Sequence, residues 1–143
     1  MILSATASSV LEDNFKNHGP ERAYKGIAEI TKEFYSSSVA QTDHWLQLHL
    51  RRVWLTGVFV VLRKEPDGGK YFKNVQLRAG SDSSPSGNPI VGYFPGPSKD
   101  NARHFIPFVG VAADYVTFYM PMGAEVIALQ VDGVTFITGA RGQ

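Results

Sequence analysis

The sequence predicts an all-β fold, a sandwich or barrel of short strands. Three observations predict it. Several runs alternate apolar and polar residues with a period of two. The apolar members are mostly β-branched or aromatic. Turn-forming clusters of Gly, Pro, Asp, Asn and Ser separate the runs at short intervals.

The chain opens polar and broken. Ser8-Ser9, Asn14–Asn17 and His18-Gly19-Pro20 are turn material. Glu21–Glu33 spaces Ala23, Ile27 and Ile30 weakly like a helix, but Gly26 argues against a long one. From Trp45 the strand signal dominates: Leu46, Leu48 and Leu50 alternate with polar Gln47 and His49. Val53–Leu62 is almost continuously apolar and predicts a central strand buried on both faces. Pro66-Asp67-Gly68-Gly69 follows as a turn, and Lys70–Ala79 resumes as a strand, so the pair reads as a β-hairpin. Ser81–Asn101 is the longest loop-like region, rich in Ser, Pro, Gly and Asn. Arg103–Val111 and Tyr115–Met120 are further strand candidates. Val126–Val131 sets Ile127, Leu129 and Val131 on one face. Asp132-Gly133 reads as a two-residue hairpin turn into a last strand, Val134–Ile137. No internal repeat and no second domain is visible in 143 residues, so a single domain is expected.

Composition narrows the function classes. The chain is 43% apolar and only 19% charged, which argues for a packed core rather than disorder. A net charge of +1 offers no electrostatic footprint for nucleic acid. There is no cysteine, so disulfides and thiolate chemistry are excluded and the usual zinc ligand is missing. No apolar run is long enough to span a bilayer, and Met1–Ser4 lacks the layout of a signal peptide. The chain is expected to be a mature or excised extracellular or cell-surface domain, with a cytoplasmic protein as the alternative.

Catalytic and metal motifs are weak. His18, His44, His49 and His104 form no His-x-x-x-His pair and read as surface histidines. No Gly-x-Ser-x-Gly is present. Asp13, Asp43, Asp67, Asp82, Asp100 and Asp114 have a sufficient explanation as turn formers and strand ends. Gly68-Gly69-Lys70 lacks the spacing and the following helix of a phosphate loop. Loop aromatics and cations are better represented: Phe34, Tyr35, Arg63, Lys70, Tyr71, Tyr93, Phe94 and Arg103. Such residues hold sugars through donors to hydroxyls and a ring face against C–H groups. They also suit a phospholipid headgroup.

Three ordered stretches carry a resemblance. They are Ser4–Ile27 with Thr6-Ala7-Ser8-Ser9, Gly19-Pro20, Ala23 and Gly26; the Trp45-Leu46-Gln47 strand within His44–Leu50; and Ile127-Ala128-Leu129-Gln130-Val131. Together they resemble the discoidin, or coagulation factor V/VIII C-type, domain of the galactose-binding-like superfamily. Asp114–Pro121 is also similar to a strand of the F-type lectins. The resemblance implies a jelly-roll β-sandwich whose loops at one end bind carbohydrate or lipid headgroups. It implies a binding module rather than an enzyme.

The departures shape the expected site. The family's Asp-Gly, near which many members hold a structural calcium, reads Lys25-Gly26 here, and no cofactor is expected. Ser36 stands where the F-type lectin sugar site has a His. Arg63 matches the first basic residue of that site, and Lys70 or Tyr71 falls near the second. The expectation is a lectin-like module: Arg63 and Lys70 donating to the ligand, Tyr35 or Tyr71 stacking, and Ser36 and His44 lining the rim. Two alternatives stay open. One is a protein-interaction or adhesion module using the Ser81–Asn101 loop, with self-association through an exposed strand. The other is binding to anionic phospholipid.

Overall fold

A computed structural model describes residues 2–10, 16, 19–24, 34–37, 43–62, 70–99, 102–121 and 128–139, with only the backbone of 34–37, 128 and 130. Its strands are β1 (Ile2–Ala7), β2 (Phe34–Ser37), β3 (His44–Val61), β4 (Val75–Gly80), β5 (Ile90–Phe94), β6 (Arg103–Met120), β7 (Ala128–Val131) and β8 (Gly133–Thr138). The only helical element among the described residues outside Lys16 is a 3-10 turn at Pro20–Ala23. Pro20 suits its first turn because a missing N–H costs nothing there.

The frame is two 18-residue strands, β3 and β6, paired antiparallel along most of their length. Irregularities between His49 and Val53 and between Leu55 and Gly57 divide the ladder into two halves. In the first half, β1 and β4 flank the pair and β5 extends it, giving the order β1-β3-β6-β4-β5. In the second half β8 pairs with β3. A separate two-stranded sheet joins β2 to β7.

Period-two alternation then chooses the core. In β3, Leu46, Leu48 and Leu50 are fully buried, and after the bulges Leu55, Val58 and Val60 take over. Val116, Phe118 and Met120 answer from β6, and Leu129 and Val131 from β7. Each such side chain removed from water contributes roughly 1.5–3 kcal/mol.

Long-range pairing overrides several local signals. Val53–Leu62 and Lys70–Ala79 do not form a hairpin: β3 pairs with β1, β6 and β8, while β4 pairs with β5 and β6. Asp132-Gly133 does not join a hairpin either, because β7 belongs with β2 and β8 with β3. The Asp132 N–H instead donates to the Val61 carbonyl at 2.8 Å. Val53–Leu62 is not buried on both faces; Phe59 is 47% exposed. The loop expected at 81–101 contains β5. The strand candidates at 103–111 and 115–120 are one continuous strand.

One end of the sandwich gathers both ends of the long strands. Leu62 N–H donates to the Ala102 carbonyl where β3 ends and β6 begins. The His104 ring packs on Phe94 with centroids 4.5 Å apart, and Phe94 packs on Phe72 at 5.1 Å. Phe94 in turn pairs with Val75, one residue before Gln76, which pairs with Tyr119 near the far end of β6. This end is the rim. The opposite end holds the middle of the long strands and a loop pinned by Asp82 and Asn88. The Asp82 N–H donates to Asn88 Oδ1 at 3.0 Å, and Asn88 Nδ2 returns a bond to the Asp82 carbonyl at 2.8 Å.

Candidate functional site

The rim is built from two described segments, 70–74 and 95–99, and from the adjoining strand ends. Phe72 is buried and anchors the first segment in the core. The Asn74 N–H donates to the Pro95 carbonyl at 3.1 Å and ties the two segments together. Gly96 is required at this junction. Its φ is +60°, and an added Cβ would lie 2.3 Å from the Phe72 carbonyl oxygen.

The six residues expected to bind ligand fall as follows. Lys70 is exposed and Tyr71 half-buried, with the Lys70 ammonium 5.0 Å from the Tyr71 ring centre. The structure therefore brings a cation and an aromatic ring together at the rim. Tyr35 and Ser36 lie in β2, opposite Gln130 and Leu129 of β7, and only their backbone is described. Arg63 lies outside the described residues, just past the end of β3. His44 does not line the rim. Its exposure is 0%, because it shares the inward parity of Leu46 and Leu48. The surface reading of its imidazole is corrected with it. Burial holds the His44 pKa below the usual histidine range, and the neighbouring Asp43 charge partly opposes this.

The rim also contains groups that the local pattern did not single out. Tyr119 donates its hydroxyl proton to Asp43 Oδ2. That bond, aided by burial, raises the phenol's pKa; the charge of Asp43 adds to the rise and that of Arg78 opposes it. Further along β4, toward the opposite end, the Arg78 guanidinium comes within 5.4 Å of the Tyr119 ring centre. Its Nε donates to Gln76 Oε1, and one terminal nitrogen reaches the Ser86 and Asn88 carbonyls. The Tyr93 hydroxyl donates to Asn74 Oδ1 at 2.9 Å. Ser98 Oγ lies 2.6 Å from His104 Nε2, and burial lowers the His104 pKa. Ser98 Oγ also lies 2.9 Å from the Lys99 carbonyl oxygen. Among the described residues, no three His, Asp or Glu side chains lie together as a metal site.

No family model matches the sequence, and no curated protein matches it. Solved structures do share its shape. An F-lectin (fucolectin) from striped bass (Morone saxatilis) serum matches with a TM-score of 0.75 at 18% identity, over 93% of this chain and 45% of that one. A CBM32 module from Clostridium perfringens, solved with GalNAc-β-1,3-galactose, matches with a TM-score of 0.75 at 12% identity, over 94% of each chain. The F5/8 type C domain of a Bacteroides fragilis protein matches with a TM-score of 0.71 at 14% identity, over 93% of this chain and 89% of that one. This chain has the discoidin-type fold. The expected jelly-roll β-sandwich is therefore the observed architecture. Within the discoidin-type frame, the rim holds Lys70, Tyr71 and Asn74 on a segment anchored by buried Phe72, and Asn74 accepts from the Tyr93 hydroxyl of β5.

Proposed function

We propose that this chain is a non-catalytic, lectin-like recognition module that binds carbohydrate at the rim. The observation that carries the reading is the discoidin-type fold, shared over nearly the whole chain with modules solved on sugars. The paired Lys70 and Tyr71 support it: an ammonium donates to hydroxyls while a phenol ring offers its face to C–H groups. Arg63 is the second donor and Tyr35 the alternative stacking ring, with Ser36 beside it. His44, the first residue of β3, is buried and stays out of ligand contact.

A glycan array with the parent protein, Lys70→Ala and Arg63→Ala tests the assignment. Binding by the parent with loss in both variants is expected. If Arg63→Ala or Lys70→Ala labels the array as strongly as the parent, that residue is not in the site.

A second reading, self-association through a protein interface, rests on a different observation. Phe59, Phe105 and Val109 are 47%, 49% and 75% exposed on the outer face of the second half of the long strands. Sedimentation velocity over a concentration series separates the readings. A stable oligomer dispersed by Val109→Asp, with a blank array, favours this one.

A further inference from the structure

Strand register assembles a transverse row that the sequence leaves scattered. Trp45 of β3 pairs with Tyr119 of β6, Tyr119 with Gln76 of β4, and Gln76 with Tyr93 of β5. Alternation sends the first three away from the core, and Tyr93 is 50% exposed. Trp45 stands between buried His44 and Leu46, Tyr119 between Phe118 and Met120, and Gln76 between Val75 and Leu77. The row thus crosses four neighbouring strands on the outer face, about 14 Å from first to last at the usual strand spacing. At the β1 edge, Ser8 Oγ accepts from the Trp45 N–H and lines a cavity of about 420 Å³ with Ala5, Thr6, Pro20 and Glu21.

The row is built for oriented polar contact. Tyr119 is held by Asp43, Tyr93 by Asn74, and Gln76 by Arg78. Asp43 and Asn74 belong to the rim, so the row runs directly beneath the candidate site. None of the four positions carries an aliphatic side chain. Rings with polar edges, an amide and a guanidinium match the alternating C–H and hydroxyl surface of a pyranose chain. The second half of the same strands presents phenylalanine and valine instead, a hydrocarbon face that offers sugar hydroxyls nothing.

We infer that this row is a groove for the interior of a linear polysaccharide. The protein reads several consecutive sugars, from the rim across Tyr119 to Tyr93, rather than a terminal residue alone. This rests on the carbohydrate reading above.

The test is calorimetric titration with two ladders, cello-oligosaccharides and oligogalacturonides, each from monosaccharide to hexasaccharide. On one ladder Kd should fall at least about tenfold between monosaccharide and tetrasaccharide. Tyr93→Ala should weaken the tetrasaccharide by about threefold to tenfold and the monosaccharide by a smaller factor. Tyr93→Phe, which keeps the ring, should retain most of the affinity, and unchanged melting temperatures show that both variants fold. Lys70→Ala should weaken both lengths. Equal affinity across the ladder, or a Tyr93→Ala protein that holds the tetrasaccharide as tightly as the parent, overturns the groove while leaving the rim site intact. A parent protein that binds no member of either ladder overturns the groove together with the carbohydrate reading.

Discussion

β3 and β6 run side by side through two faces of different chemistry. In their first half the outward side chains are Trp45, Gln47 and His49 against Tyr119, Thr117 and Tyr115. Gln47 Nε2 donates to Thr117 Oγ1 at 3.2 Å although both are nearly or fully buried. His49 stacks on Tyr115 with centroids 4.7 Å apart and planes 13° from parallel. In the second half the outward residues include Phe59, Phe105, Pro107 and Val109. The Phe105 ring covers Gly57, where a Cβ would come within 2.6 Å of it. The same pair of strands therefore carries one face of mutually satisfied hydrogen-bonding groups and one of exposed hydrocarbon. The difference teaches that backbone pairing supplies the platform and leaves the outer chemistry free. A buried polar pair must be completed on the same face, whereas exposed phenylalanines need only tolerate water.

The most disruptive way to probe this contrast is to remove what the halves share. Phe118 is fully buried in the one core cluster that joins side chains of both halves. Phe118→Ala should cost about 3–5 kcal/mol and lower the urea midpoint in a single transition. Two separated transitions would show that the halves fold independently.

A more local test concerns the polar face alone. Thr117→Val leaves the buried Gln47 amide without its acceptor and should cost about 1–3 kcal/mol by chemical denaturation. Adding Gln47→Leu should recover much of that loss, because an apolar pair asks for no hydrogen bond. A double variant as unstable as the single one would mean that the pair is not what Thr117 contributes.

Acid should distinguish the halves by a gentler slope. Burial depresses the His44 pKa in the folded state, so the unfolded chain takes up the proton first as pH falls. The contribution of neutral His44 is fully present above the unfolded value of about 6.5 and is lost as pH falls below it toward the depressed folded value. His44→Gln should flatten that part of the stability–pH curve, followed by denaturant midpoints from neutral to mildly acidic buffer. An identical slope in the variant would assign the acid sensitivity elsewhere. The smallest effect is expected at the hydrocarbon face. Val109 is 75% exposed, and Val109→Ser should change stability by no more than about 0.5 kcal/mol.

Local alternation carried much of the fold. Leu46, Leu48 and Leu50 face inward as their spacing predicts, as do Leu129 and Val131. His44 lies at the same parity, so its burial was readable, but its loop-edge position and polar side chain suggested the rim. The hairpins failed for a different reason. Turn residues such as Asp132-Gly133 report that the chain bends, and the choice of partner depends on strands far away in sequence. β5 was hidden by composition, since Pro89 and Pro95 frame a short edge strand that reads as loop. Of the candidate site, the adjacency of Lys70 and Tyr71 was available from the chain itself. The row from Trp45 to Tyr93 was not, because it exists only through three successive cross-strand registers.

The pairing of β1 and β8 with one strand has a consequence for how the molecule can be tethered. Ile2 lies opposite Leu50 and Thr138 opposite Leu55, so β1 begins and β8 ends beside the middle of β3. That middle sits at the end away from the rim. A linker or solid support joined near either point would hold the sandwich like a bollard on a quay, with its rim turned to the passing medium.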